Sequence, residues 1–442
     1  MQFVLRSAGG TLLLRLFYLA SGFITTLLLT RWLGAEGLGT YNFVISWVVL
    51  SVIFVKFGFE EYLARETARE LGGGNSQYVN RLWKFAIVFI LSTSTAVVAI
   101  MALTASQIKF EDPSIQTTFY VGVAMVPLLA GVALFRAYLR SHKQILRSQL
   151  PEYLIRPTII LLVVSGCLVS STPGSAYLAM AINVSATIVA IGYCFVVRRK
   201  SNNQSTRLDP TLESRKDQHD DARRWIAEAM PFVLIAGIHI VNQRADRLML
   251  GSMIDMKSVG IYSVAAQMSL VVNFTLLGIN QSVGPLVAER NSGNRVQELQ
   301  KTILTSTLYA SIGSILIVFG LASFGQLLLK FFGEEFSASY VPMLILAAGQ
   351  LLNVFSGPAG EILSMSRHER LVGVGIFAAA ILNLVLNSLL IPRYGVVGAA
   401  IATSTSMACW NLILVTLAKS YTGLQSSYLA SIIPISNDDS KP

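Results

Sequence analysis

Among the ionisable residues inside long apolar runs of this 442-residue sequence are Arg15, Lys56, Arg244, Asp246 and Arg247. A charge in such a setting is expensive, so each is a candidate for function before it is a candidate for packing. Lys56 lies deepest in its run. Arg244 and Arg247 are three residues apart and share one helix face, with Asp246 beside them, so a structural ion pair is the competing reading there. Arg15 and Arg247 stand near run ends, where a long side chain snorkels to the polar boundary. His239 sits mid-run, where titration could couple it to protons, although a lone histidine also serves as a hydrogen-bonded packing residue. Glu60, Glu61 and Arg65 close a run as a charge cluster.

Amides form a second group. Gln350, Asn353 and the acid Glu361 fall in one run, Gln267, Asn273, Asn280 and Gln281 in another, and Asn383 and Asn387 lie one turn apart in a third. Interhelical hydrogen bonding is their common use; sugar hydroxyls are the alternative partner. Nothing points to catalysis. The stretch GGGN at 72–75 lacks the Lys-Ser/Thr of a phosphate loop, and no His, Cys or carboxylate pair has metal or nucleophile spacing. No metal or cofactor is expected. Cys167, Cys194 and Cys409 read as small buried hydrophobes.

The elements that hold these residues must be membrane helices. Hydrophobic residues make up 53% of the chain and charged residues 13%, far below the roughly 25% of a soluble protein. Apolar stretches of spanning length recur throughout, and only helices satisfy their own backbone groups in an all-α chain of this kind. Twelve spans are expected: 11–33, 41–63, 82–104, 118–139, 153–171, 176–197, 226–250, 260–284, 303–329, 340–364, 371–391 and 396–418. With the N-terminus inside, 25 of the 34 Lys and Arg residues fall in inner segments, 5 in outer loops and 4 within spans. This bias places both termini in the cytoplasm. It also explains most of the net charge of +10 as topology, not a nucleic-acid footprint. The first span is read as retained, not as a cleaved signal peptide.

The two halves repeat. Gly39 and Tyr41 recur as Gly260 and Tyr262, and "PGSAYLAMA" recurs as "YGVVGAAIA", pairing Gly174 with Gly395 at the same offset of 221 residues. Six spans per copy imply parallel repeats related by an axis along the membrane normal. The glycines are expected to make tight turns, and the tyrosines to sit at the interface with wet hydroxyls. The domain plan is then a six-helix lobe at 1–197, a cytoplasmic linker at 198–224, a second six-helix lobe at 225–419 and a cytoplasmic tail at 420–442.

Three segments, "LLTRWLGAEGLGTYNFVISWVVL", "RADRLMLGSMIDMKSVGIYSVAAQ" and "NLVLNSLLIPRYGVVGAAIATSTS", resemble bacterial polysaccharide-biosynthesis flippases of the Wzx type. These belong to the multidrug/oligosaccharidyl-lipid/polysaccharide exporter superfamily. The resemblance implies two lobes around a central cavity, alternating access, and a cargo of undecaprenyl-diphosphate-linked oligosaccharide for O-antigen, capsule or exopolysaccharide assembly. It implies a bacterial inner-membrane location, a monomer, and the pathway's polymerase and chain-length proteins as partners. Lys56, Arg244, Arg15 and Arg247 would then face diphosphate, where arginine forks match phosphate oxygens. Asp246 matches a recurring acidic position of the family and, with His239 and Glu361, would couple ions. Gln350, Asn353, Asn273, Asn383 and Asn387 would meet sugar.

Three other readings compete. A lipid II flippase typically has fourteen helices, two more than are counted here. A cation-coupled multidrug exporter should carry acids deep in span one, where this chain has Arg15. A polymerase or glycosyltransferase should show a large outer loop or a carboxylate cluster.

Overall fold

The first two spans are joined without a loop. Helix α1 runs Gln2–Lys56, about 80 Å of rise, more than twice the roughly 30 Å of a hydrocarbon layer. It can serve two crossings because Gly34 adopts φ 67 and ψ −173 inside it, a conformation that only a residue without Cβ adopts readily. The second crossing is interrupted again. After Lys56 the chain takes two left-handed residues, Phe57 at φ 42 and Gly58 at φ 70, before α2 resumes over Phe59–Gly72. The sequence reads 41–63 as one uninterrupted span, so this break is a correction. It puts Lys56 at a helix C-terminus and Glu60 and Glu61 in the first turn of the next helix, where each charge complements the helix dipole.

The computed structural model describes residues 2–107, 112–202, 220–276, 296–366 and 368–428, together with residues 279, 283 and 287. The chain forms two compact units, Met1–Ile240 and Val241–Pro442. Most of the segment 198–224 lies outside the described residues, and the division falls further on, inside the helix that follows it.

In the first unit come α3 (Ser76–Gln107), α4 (Pro113–Val123), α5 (Met125–Ser141) and α6 (Ile145–Leu150). A π-helical turn at Pro151–Ile155 leads into α7 (Arg156–Val169), followed by α8 (Ala176–Asn202). Close approach is bought by glycine at two places. A Cβ on Gly122 would lie 2.6 Å from Val44 Cγ1, and one on Gly174 would lie 1.8 Å from the Trp32 carbonyl oxygen. Trp32 Nε1 also donates to the Thr172 carbonyl at 2.9 Å. Helix α9 (Asp220–Met253) begins in this unit and docks on the break in the second crossing. Tyr62 donates to Glu228 at 2.8 Å, Trp225 Nε1 donates to the Tyr78 hydroxyl at 2.8 Å, and a Cβ on Gly58 would meet the Ala229 carbonyl oxygen at 2.4 Å.

The second unit takes the rest of α9, then α10 (Met256–Ser269), a 3₁₀ turn at Leu270–Asn273, α11 (Val296–Phe332) and a 3₁₀ turn at Glu334–Ser339. It closes with α12 (Tyr340–Phe355), α13 (Ala359–Met365) and α14 (Glu369–Thr422). Helix α14 bends at Gly395, φ 54, so it too covers two spans. The span read at 340–364 is broken between α12 and α13 at Gly357, φ 64, and Pro358. After α14 the chain turns at Gly423, φ 68, and residues 424–427 fold back onto the unit instead of trailing as a tail. Leu424 is buried in a core with Ile303, Val354, Ile362 and Leu414. Gln300 clasps the Gln425 backbone, accepting from its N–H and donating to its carbonyl, both at 2.8 Å.

Among the described residues ten helices are long and apolar enough to cross a membrane. The longest two, Leu13–Gly72 and Glu369–Thr422, are each divided at a glycine, which accommodates the twelve crossings counted in the sequence. The chain is an all-α polytopic membrane protein. Of the cysteines, Cys194 is buried as read, Cys167 is half-buried and Cys409 is exposed on the apolar surface.

Candidate functional site

Within the first unit a cavity of about 190 Å³ opens between α1, α5, the π-helical turn, α7 and α8, with Lys56, Arg136, Glu152 and Arg156 on its wall among Val49, Val52, Leu129 and Val132. The local sequence explains how the charges come there. Lys56 reaches the cavity because α1 ends on it. Pro151 and Pro157 flank the π-helical turn, lacking two backbone N–H donors, and the widened turn carries Glu152 and delivers Arg156.

The ion pairing is asymmetric. Lys56 Nζ lies 2.9 Å from Glu60 Oε2. Arg136 is held from two sides, its Nε 3.2 Å from Glu60 Oε1 and its Nη1 donating to Glu152 Oε2. Arg156 pairs with no carboxylate among the described residues. Its Nε donates to Asn183 Oδ1 at 2.9 Å, and Asn183 Nδ2 donates to the Tyr41 hydroxyl at 2.5 Å. Three cations thus face two carboxylates, and the cation without a carboxylate is the one locked in place by neutral groups. Both arginines line the cavity, where an anion is weakly screened and a guanidinium offers several N–H donors.

In the second unit the charge has the opposite sign. Asp246 is 3% exposed and accepts from Tyr262 at 2.5 Å, Thr403 at 2.8 Å, Asn387 at 2.7 Å and Asn383 at 3.4 Å. All four donors are neutral, and Asp246 forms no ion pair among the described residues. The ion pair with Arg244 or Arg247 read from the sequence is therefore corrected. Arg247 instead donates to Ser263 and to the Gln243 carbonyl and lies over the Tyr262 ring. The amide oxygen of Asn387 is buried beside the cluster without a hydrogen-bond partner.

The other sequence candidates scatter. Arg15 is half-buried in α1 and makes no ion pair with a described residue, while Arg244 is half-buried on α9. His239 is exposed near the end of the first unit's part of α9. Asn353 donates to Asn273 at 3.2 Å, so those two amides serve each other. Gln350 is buried and its Oε1 has no partner. Glu361 opens α13. Gln267 is half-buried on α10, and Asn280 and Gln281 lie outside the described residues. The tyrosines expected at a wet interface are both buried, Tyr41 on Asn183 and Tyr262 on Asp246.

Arg136, Glu152 and Arg156 are the residues that sequence reasoning missed, since the charge count assigns both arginines to an inner loop. The available signal was local: Arg156 stands between Pro151, Pro157 and an apolar run, where a loop arginine has no need to be.

A bundle of this kind, with charges gathered inside a helical unit, defines a multi-pass membrane protein. The chain belongs to the polysaccharide biosynthesis protein family, which it matches over residues 5–289, and residues 236–389 also match the MatE family. A probable low-salt glycan biosynthesis flippase, Agl15, of Haloferax volcanii is 28% identical over 192 residues, covering 43% of this chain and 38% of the relative. That match therefore spans well under half of the relative's length. Stage V sporulation protein B of Bacillus subtilis is 21% identical over 94% of this chain and 81% of its own. Among solved structures, an inward-facing multidrug resistance transporter of the MATE family and MOP superfamily matches with TM-score 0.71 at 11% identity. It covers 91% of this chain and 94% of that one, and the likeness shows the fold.

Proposed function

We propose that this protein is a flippase that moves polyprenyl-diphosphate-linked oligosaccharide across the membrane, with undecaprenyl as the lipid of a bacterial inner membrane. The observation that carries the reading is the cavity walled by Lys56, Arg136 and Arg156. Its cations in an apolar wall match the diphosphate linkage common to all such cargoes, whatever their sugars. Cations in an apolar wall also argue against a multidrug exporter for cationic compounds, the runner-up within the fold, because like charges repel strongly there.

On this reading both termini and the 198–224 segment are cytoplasmic, the two lobes alternate access, and Asp246 takes the cation or proton whose movement is coupled to transport. The lack of a cation among the partners of Asp246 supports that assignment. The name of Agl15 supports the cargo class. The pathway, whether O-antigen, capsule or exopolysaccharide, and its polymerase and chain-length partners follow from the resemblance alone.

The test is transport of fluorescent undecaprenyl-diphospho-N-acetylglucosamine in proteoliposomes. Arg156→Ala and Lys56→Ala proteins should insert normally and lose transport by tenfold or more, as expected when a charged ligand contact worth about 1.4 kcal/mol or more is removed. Wild-type transport by both variants would overturn the proposal.

A further inference from the structure

The cavity holds its own anions, and they are not equivalent. Glu60 is the more buried, with 12% of its side chain exposed, and is shared by Lys56 and Arg136 across the break between α1 and α2. Glu152 is 35% exposed and touches only Arg136. It sits on the π-helical turn, directly before the segment that presents Arg156. Resting on the reading of this cavity as a diphosphate site, we propose that Glu152 is an internal competitor for the cargo. It occupies Arg136 when the site is empty, yields to the diphosphate on binding, and returns to expel it.

Charge counting supports this. Empty, the cluster of Lys56, Arg136, Arg156, Glu60 and Glu152 carries a net +1. A diphosphate esterified at both ends carries two negative charges, which leaves a net −1 if every ion pair is kept. An apolar wall disfavours either excess. Arg156, with no carboxylate of its own and its fork fixed by Asn183, is the first contact available to the incoming anion. Arg136 becomes available only as Glu152 lets go. The more exposed carboxylate is the one that can leave, because water receives it; Glu60, tied to two cations, stays. A carrier needs such a device, because a site left with Glu60 as its one carboxylate would carry a net +2 and hold its cargo too tightly to release it.

The prediction is a split between affinity and turnover. In Glu152→Gln the amide keeps the shape but loses the competing charge. Affinity for a short-chain prenyl-diphospho-N-acetylglucosamine, measured on the full protein in nanodiscs, should rise about fivefold, and its transport turnover in proteoliposomes should fall by a similar factor, since affinity changes act mainly through release. Glu60→Gln should instead reduce the amount of folded protein. Should Glu152→Gln fail to insert, Glu152→Asp decides, because its shorter arm weakens the hold on Arg136 and should shift both quantities in the same sense. Weaker or unchanged binding, or unchanged turnover, in the variant that folds would overturn the proposal. Failure of the wild type to bind the probe would remove the diphosphate reading itself, and this inference with it.

Discussion

Tyr41 and Tyr262 stand 221 residues apart in the sequence and do the same thing to opposite ends of the charge scale. Each buries its hydroxyl. Tyr41 accepts from Asn183, which in turn accepts from Arg156; Tyr262 donates to Asp246, which Asn387 also contacts. A phenol can donate or accept, so one residue type at matched positions can steady a buried cation through an amide in one unit and a buried carboxylate directly in the other. The two units are thereby given different chemical tasks by the residues the tyrosine meets.

The Asp246 cluster makes a stability prediction. Asp246→Ala removes the shared acceptor of Tyr262, Thr403, Asn383 and Asn387. The amides keep each other and Thr403 as acceptors, so the loss falls on the hydroxyl donors, and a buried donor left without a partner costs about 1–3 kcal/mol. The purified variant should melt well below the wild type, while Asp246→Asn, which keeps one acceptor, should fall between them. A wild-type melting temperature for Asp246→Ala would mean that the cluster contributes nothing to the fold.

Gly58 is a second point of leverage. Its φ of 70 and the 2.4 Å approach of a built Cβ to the Ala229 carbonyl oxygen leave no room for a side chain. Gly58→Ala must either lift α9 from the break or shift the break, at a cost of roughly 1–3 kcal/mol. Reduced thermal stability, with faster backbone amide exchange at 225–232, is the expected outcome. Protection equal to that of the wild type at those residues would show that the docking tolerates the extra carbon.

Topology can be checked in intact cells. With cytoplasmic termini, Ser106→Cys should react with an impermeant thiol reagent and Ser214→Cys should not, in a background lacking the native cysteines. The reverse pattern would invert the orientation deduced from Lys and Arg.

The spans were legible in the sequence because hydrocarbon imposes length and apolarity on every one of them. The turn at Gly395 was legible as well, but the one expected at Gly39 falls five residues earlier, at Gly34, while Gly39 and its counterpart Gly260 are helical. The breaks were not. Nothing in "FVKFGFEEY" distinguishes a continuous helix from one interrupted at Phe57 and Gly58, because the interruption depends on Ala229 and Phe232 arriving from far along the chain. The site was half legible for the same reason. Lys56 stood out inside an apolar run, and the structure pairs it with Glu60, one turn further on. Arg136 and Arg156 looked like ordinary topology-setting charges until helix packing brought them to one wall. Asp246 was visible as a buried acid, but its partners Tyr262 and Thr403 are contributed by other helices, so the nearer arginines were the natural first choice.

The strap at 424–427 has a consequence for how the protein is made. Leu424 fills part of the second unit's core, and the backbone of Gln425 is the partner of Gln300. These residues follow every spanning helix among the described residues, so they leave the ribosome after those helices have been synthesised. Until then Ile303, Val354 and Ile362 lack one of their neighbours, and Gln300 has no strap to hold. The second unit therefore completes its core only as a late step of biosynthesis, and a nascent chain arrested at Thr422 would be inserted yet unfinished.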